Sequence, residues 1–329
     1  MGTVYELSPN GSGGWNEQVI YDRSGYAGLT IDGSGNLYGA DDLGNGHVFK
    51  LSPNGSGGWN AAIIHTFKGG PNDGSDPEGT PVLDSAGNVY GTTVSGGATR
   101  GLGTVWKLTP SGGEYTEEIL SSFIWKYGAN PKAGVVLDSS GNIYSTTAFG
   151  VLKPPNREYF PCYDGCGSVF ELAVSGSGYE WTSLYTFNLT DGATPTDTLI
   201  LDGGNLYGTT YGGGASSYCP GTGGCGVALE LSPSARATAT VLTSAPNPST
   251  YGEAVTFTAV VTPAPPDGET VTFEHVGSGI LGTGSLNGGS AAFTTSTLRV
   301  GTPHIRAVYG GDPIFEGSTS NGVKQVVER

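Results

Sequence analysis

Along residues 1–235 apolar and polar positions alternate in short runs, each closed by Gly, Ser, Asn or Asp. Short period-two runs bounded by such residues predict strands rather than helices. One block, Leu83-Asp-Ser-Ala-Gly-Asn-Val-Tyr-Gly91, returns at 31–39 and 137–145 and, a residue shorter, at 201–208. A second block, Gly-x-Val-aromatic-Lys/Glu-Leu, starts at Gly2, Gly46, Gly103 and Gly167. An altered copy starts at Gly226 and has lost the aromatic. Each second block leads through a polar Gly/Ser turn into a further strand, as at 59–67, 115–123 and 179–187. One unit is therefore four short strands, and its repetition predicts a small β-propeller of four to five four-stranded antiparallel blades.

The links inside a unit are unequal. Asp-x-Ser-Gly-Asn between the first two strands and Ser-Pro-Asn-Gly-Ser-Gly-Gly (52–58) between the last two are tight-turn sequences. Each supplies side-chain acceptors for the turn amides and a Gly that tolerates positive φ. The other two links are long and irregular. Antiparallel strands then put both tight turns on one face and both long loops on the other, so a site is expected on the long-loop face. Residues 2–21 hold only the last two strands of a unit, and the unit from Thr198 only the first three. Either Trp15–Tyr21 completes the last unit, leaving Gly2–Leu7 as a surplus strand, or an incomplete extra blade exists.

From about Arg236 the blocks stop and Trp and Cys disappear. Thr-rich alternating strands take over, at 237–242, 254–262, 269–275, 289–295 and 304–309. That pattern predicts a small Ig-like β-sandwich. The sequence thus reads as an all-β chain of two domains, 1–235 and 236–329.

Composition changes the picture in two ways. The 58 Gly and 20 Pro of 329 residues belong mostly to repeated turns, not to low complexity. The net charge of −15 is uneven: 7 of the 29 acidic and 5 of the 14 basic residues lie beyond 235, leaving −13 on the repeats. Such a surface repels nucleic-acid phosphates and anionic lipid, so neither is expected as a partner, and no membrane insertion is expected.

The blocks GTVWKL (103–108), LDSSGNIYSTT (137–147) and TYGGGA (210–215) resemble the GloVer (Gloeo_Verruco) tandem repeat of secreted bacterial proteins. The stretches NPSTYGEAVTFTAVV (247–261) and AVYGGDPIFEGSTS (307–320) resemble a bacterial Ig-like repeat domain of cell-surface proteins. The resemblance implies an extracellular or cell-surface location and supplies no catalytic residues. The chain departs from the repeat at Ala40-Asp41-Asp42, where other copies read Thr-Thr.

Cys162 and Cys166 fall in one long loop and Cys219 and Cys225 in the next. Paired short spacings suit two local disulfides, and the alternative is a four-thiolate zinc site shared by adjacent loops. The repeated Asp32, Asp84, Asp138 and Asp202 are turn residues. Trp15, Trp59 and Trp181 are expected to pack in the core or between blades.

Non-repeated residues carry the functional expectation. Asp41, Asp42, Asp73, Asp76 and Glu78 are the carboxylates that would serve catalysis if the protein is an enzyme. Trp125, Tyr127, Tyr159, Tyr163, Tyr211 and Tyr218 are the aromatics that would bind a ligand. Rings that stack on a pyranose beside acids that bind hydroxyls point to carbohydrate. The expected function is a secreted binding or display module for carbohydrate or another envelope component. The alternatives are a polysaccharide-active hydrolase or lyase on the same face, and a structural subunit that self-assembles through unpaired edge strands. No metal or cofactor is expected. A calcium ion at Asp73, Asp76 and Glu78 is the one the sequence raises, although the spacing fits no known cage.

Overall fold

The computed structural model describes residues 2–23, 25–98, 101–150, 162, 164–215, 219, 224–232, 235–312 and 314–329. Among these residues every regular element is a β-strand. The chain divides into two compact units, Met1–Leu231 and Ser232–Arg329.

In the repeat unit, strands β1 (Val4–Pro9) and β2 (Trp15–Tyr21) form a two-stranded sheet. The first complete blade follows as β3 (Thr30–Ile31), β4 (Leu37–Asp41), β5 (His47–Pro53) and β6 (Trp59–Thr66). In the next repeat β7 (Gly74–Ser75) pairs with β10 (Ser95–Gly96) outside the blade. The second blade itself is β8 (Val82–Leu83), β9 (Val89–Thr93), β11 (Thr104–Ser111) and β12 (Glu114–Ser122). The third is β13 (Val136–Leu137), β14 (Ile143–Thr147), β15 (Ser168–Ser175) and β16 (Gly178–Thr186). A three-stranded sheet of β17 (Ile200–Asp202), β18 (Asn205–Thr209) and β19 (Ala228–Leu231) ends the unit. Strand order within each complete blade follows the chain, and all pairs are antiparallel.

The turn sequences act as their chemistry requires. Asp84 Oδ1 accepts from the Ala86 and Asn88 amides, both at 2.9 Å, and Oδ2 accepts from Asn88 Nδ2 at 2.7 Å and Tyr90 Oη at 3.0 Å. Asp32 and Asp138 repeat the set with Asn36 and Tyr38, and with Asn142 and Tyr144. Burial works against ionisation of Asp32 and Asp84, but these donors outweigh it and hold both carboxyls below their ordinary range. The Tyr of these three blocks is thereby tied to the turn that precedes it, whereas Tyr207 of the fourth donates to Glu230 Oε1 at 3.1 Å. At the second tight turn, Asn10 and Asn54 each accept from the amides two and four residues on. That turn closes β1 onto β2, so Trp15–Tyr21 pairs with its own hairpin partner rather than with β19.

Stacking between blades supplies the core. Tyr38, Val48 and Phe67 meet Val89, Trp106 and Leu108 between the first and second blades. Tyr90, Val105 and Phe123 meet Ile143, Phe170 and Leu172 between the second and third. The half-blade covers the first blade through Val4, Ile20 and Tyr21 against Phe49 and Leu51. Its other side is bare. Tyr5 and Leu7 are 56% and 48% exposed, whereas the equivalent Phe49 and Leu51 are 0% exposed. Trp15, expected to pack in the core or between blades, is 64% exposed for the same reason, because among the described residues no sheet lies against that side. At the far end Ile200 is 65% exposed.

The second unit is a sandwich with strands 239–245, 255–262 and 290–295 in one sheet. Strands 279–285, 270–275, 304–309 and 318–319 form the main path of the other, and 323–324 also pairs with 304–309. Val255, Phe257, Ala259 and Val261 alternate inward and meet Val271, Phe273, Ile305 and Tyr309.

Candidate functional site

The first strand of each unit ends at the turn aspartate, so its start lies at the long-loop end. Six residues before Asp32, Asp84, Asp138 and Asp202 stand Tyr26, Glu78, Lys132 and Thr196. These four side chains and Asp197 line one cavity of about 460 Å³. Four successive repeats contribute the same position, so the cavity lies on the axis around which they turn. Direct bonds hold the repeats together beside it. The Gly28 amide donates to Thr80 Oγ1 at 2.8 Å, the Gly134 amide to Thr198 Oγ1 at 3.0 Å, and Thr92 Oγ1 to the Ala133 carbonyl at 2.7 Å.

The chemistry around this axis is mixed. Lys132 Nζ lies 3.3 Å from Glu78 Oε2, and Asp197 Oδ2 accepts from Thr209 Oγ1 at 3.0 Å. Tyr26 stands at the rim, 80% exposed as a residue. The cavity thus offers an open aromatic face, two carboxylates, an ammonium and a hydroxyl.

Of the carboxylates expected from sequence, Glu78 alone lines this cavity. Asp41 is 0% exposed and accepts from the Leu43 amide at 3.1 Å, with His47 Nδ1 at 2.7 Å from the same oxygen. In the next blades the same positions hold a Thr93–Thr104 hydroxyl pair at 2.7 Å and a Thr147–Ser168 pair at 2.9 Å. Asp41 and His47 are therefore a joint replacement of that strand-to-strand bond. Asp42 is exposed, and Asp76 sits at φ 60° with Ser75 Oγ 3.4 Å from its carboxylate.

Among the aromatics, Trp125 packs partly buried against the core between the second and third blades. Tyr127 lies 4.7 Å, centroid to centroid, from Trp181, with Lys126 Nζ 5.1 Å from its ring. Tyr211 is free on the surface, 63% exposed. Tyr159, Tyr163 and Tyr218 lie outside the described residues. Tyr26, Lys132, Thr196 and Asp197 were not among the sequence candidates. Their signal was available as a column of the repeat that diverges, preceded by Gly25, Pro77, Pro131 and Pro195, with Asp197 the further departure beside it.

Asp73 belongs to a different group. It is buried, and its oxygens accept from the Lys68 amide at 2.7 Å and the Gly74 amide at 2.6 Å. With His65 of β6 and Glu117 of β12 it forms a cluster whose ligand atoms all lie within 4.8 Å of one another. Burial, then the Asp73 charge, push the Glu117 carboxyl up to about 7. Burial moves the His65 imidazole below its ordinary range. The four cysteines form the disulfides Cys162–Cys166 and Cys219–Cys225, not a zinc site.

Blades of four antiparallel strands around an axial cavity, joined in one chain to an Ig-like sandwich and carrying two disulfides, define a cell-surface module of the repeat class. The family model of the Gloeobacter/Verrucomicrobia repeat matches residues 1–219, and the chain belongs to that family. The bacterial Ig-like domain (group 3) matches residues 242–328. Among solved structures the chain is similar to the extracellular domain of BT4673 from B. thetaiotaomicron, described once as a one component system and once as a hybrid two component system. The identities are 13% and 12% and the TM-scores 0.31 and 0.32, over 89% of this chain and 36% of each of those chains. No curated protein matches the chain. Among the described residues no helix is long and apolar enough to cross a membrane.

Proposed function

We propose that the repeat unit is a carbohydrate-recognition module and that the axial cavity is where the saccharide binds. One observation carries the reading. A single repeat position has diverged into Tyr26, Glu78, Lys132 and Thr196 around one cavity of about 460 Å³. That volume suits a small ligand, for which sites run to roughly 300–1,000 Å³. The exposed Tyr26 ring stacks on the apolar face of a pyranose, Glu78 and Asp197 accept from its hydroxyls, and Lys132 donates. Binding rather than hydrolysis is favoured because Glu78 is engaged by Lys132 and Asp41 is out of reach of solvent. The test is a glycan array read with Lys132→Ala and Tyr26→Ala, each expected to weaken the best ligand about 10-fold or more. Full-strength binding by both variants would place recognition elsewhere, and new reducing ends in the same samples would make the protein an enzyme.

The bare ends favour a second reading, a structural subunit. Tyr5, Leu7 and Trp15 on the half-blade match residues that inner blades bury against a preceding blade, and Ile200 ends the stack on the other side. A second copy docking head to tail would cover both. Mass measured by light scattering is then expected to rise with concentration, and Leu7→Lys to return it to one chain. One chain at every concentration would sink this reading.

A further inference from the structure

We propose that His65, Asp73 and Glu117 form a divalent transition-metal site, with zinc as the fitting ion, which clamps the outer strands of adjacent blades. The three residues come from separate segments: His65 from β6, Asp73 from the loop that follows it, and Glu117 from β12 of the next repeat. No local turn or hairpin requires them to meet, yet their ligand atoms lie within 4.8 Å of one another.

Two further observations point to an occupant. His65 Nε2 and Glu117 Oε1 face each other at 3.5 Å, and both atoms are buried with no hydrogen-bond partner. Buried polar atoms left unpaired are costly, and a shared cation would satisfy both at once. Asp73, in turn, is already oriented: the Lys68 and Gly74 amides each bond one of its oxygens and leave further lone pairs free. Outer bonds of that kind fix the direction of a metal ligand. His65 is also steadied by the edge of Phe67, with ring centroids 4.6 Å apart.

The donor set selects the ion. One imidazole nitrogen with two carboxylate oxygens suits zinc and its first-row neighbours, whereas calcium takes oxygen donors alone. Of the residues that the sequence raised for calcium, Asp73 belongs to this cluster and Glu78 lines the axial cavity. Three protein ligands leave a fourth position for water. A groove of about 410 Å³ between β6 and β12, lined by Ile64, His65, Thr66, Glu114 and Tyr115, borders the cluster at His65.

The test uses the full chain without an affinity tag, freed of metal by chelator and titrated with zinc by calorimetry. One zinc per chain is expected, with the melting temperature of the tryptophan signal rising on binding. Glu117→Gln and His65→Ala should each weaken zinc at least about 10-fold and remove the thermal shift, while His275→Ala, in the sandwich, leaves both intact. Glu117→Gln nearly preserves shape, so retained native fluorescence separates loss of a ligand from misfolding. Failure of zinc to bind, binding unchanged by both variants, or calcium binding as tightly would each overturn the assignment.

Discussion

Replacing Trp106 by alanine is expected to destabilise the repeat unit by about 3–5 kcal/mol, the range for deleting a fully buried aromatic side chain. Trp106 is 0% exposed and sits where the first two blades stack, among Tyr38, Val48, Phe67 and Val89. Its ring also fills space that its own sheet leaves for it. Trp106 pairs across β9 with Gly91, and a Cβ on Gly91 would lie 2.4 Å from Trp106 Cζ2. The Tyr-Gly of the repeated block is thus the floor on which the aromatic of the second block lies. Phe49 stands over Gly39 in the same way. Loss of the ring opens a cavity against two sheets that are each held by their own hydrogen bonds, so collapse around it is restricted.

Trp106→Phe provides the contrast. The indole Nε1 is buried without a hydrogen-bond partner, so Phe removes a penalty along with some volume. Phe is also what the adjacent blades carry, as Phe49 and Phe170, and its cost is expected to stay within about 1.5 kcal/mol. Urea unfolding followed by fluorescence measures both, because all five Trp of the chain lie in the repeats and the sandwich is silent. An alanine variant that loses under about 1 kcal/mol would show that the blade-to-blade core is not what holds the unit.

The blades were legible because each is written locally. Asp84, Asn88 and Tyr90 lie within seven residues and carry a complete turn network, so the hairpin is visible in a single block. The register of β11 on β9 follows from the same pairing of aromatic and Gly. The sites were less legible, for reasons of distance and of packing. Asp41 stood out as a departure from Thr-Thr, but its partner His47 makes the departure structural, and burial at 0% cannot be read from a loop sequence. Tyr26, Glu78, Lys132 and Thr196 converge only when successive repeats are turned about one axis. His65 and Glu117 meet only because neighbouring outer strands lie side by side, a contact that the spacing within one repeat does not contain. Trp15 went the other way. Its block predicts a buried residue, and it is 64% exposed because no sheet among the described residues lies against that side of the half-blade.

Gly103→Ala is the second large effect, expected to destabilise the repeat unit by roughly 3 kcal/mol. In the four copies from Gly46 onward, the Gly that opens the second block sits at φ +101° here and at +97°, +89° and +79° in Gly46, Gly167 and Gly226. An L side chain is disfavoured there on backbone grounds alone, by about 1–2 kcal/mol. Space is lacking as well. A Cβ on Gly103 would come 2.3 Å from the Thr93 carbonyl oxygen and 2.6 Å from Pro131 Cδ, one in the same blade and one in the next repeat. Neither is the free end of a flexible side chain. The strand must therefore shift, and the Gly103 carbonyl, which accepts from the Phe123 amide at 3.0 Å, carries the shift to a core aromatic 1% exposed. Gly112 separates the two contributions: it has φ +62° in the β11–β12 turn with nothing within 4 Å of a Cβ. Gly112→Ala should cost about 1 kcal/mol, the conformational part alone. Equal losses for the two variants would refute the close approach as the reason this Gly recurs at Gly46, Gly103, Gly167 and Gly226. A larger loss at Gly103 identifies the Gly as the point where each blade is seated against the next.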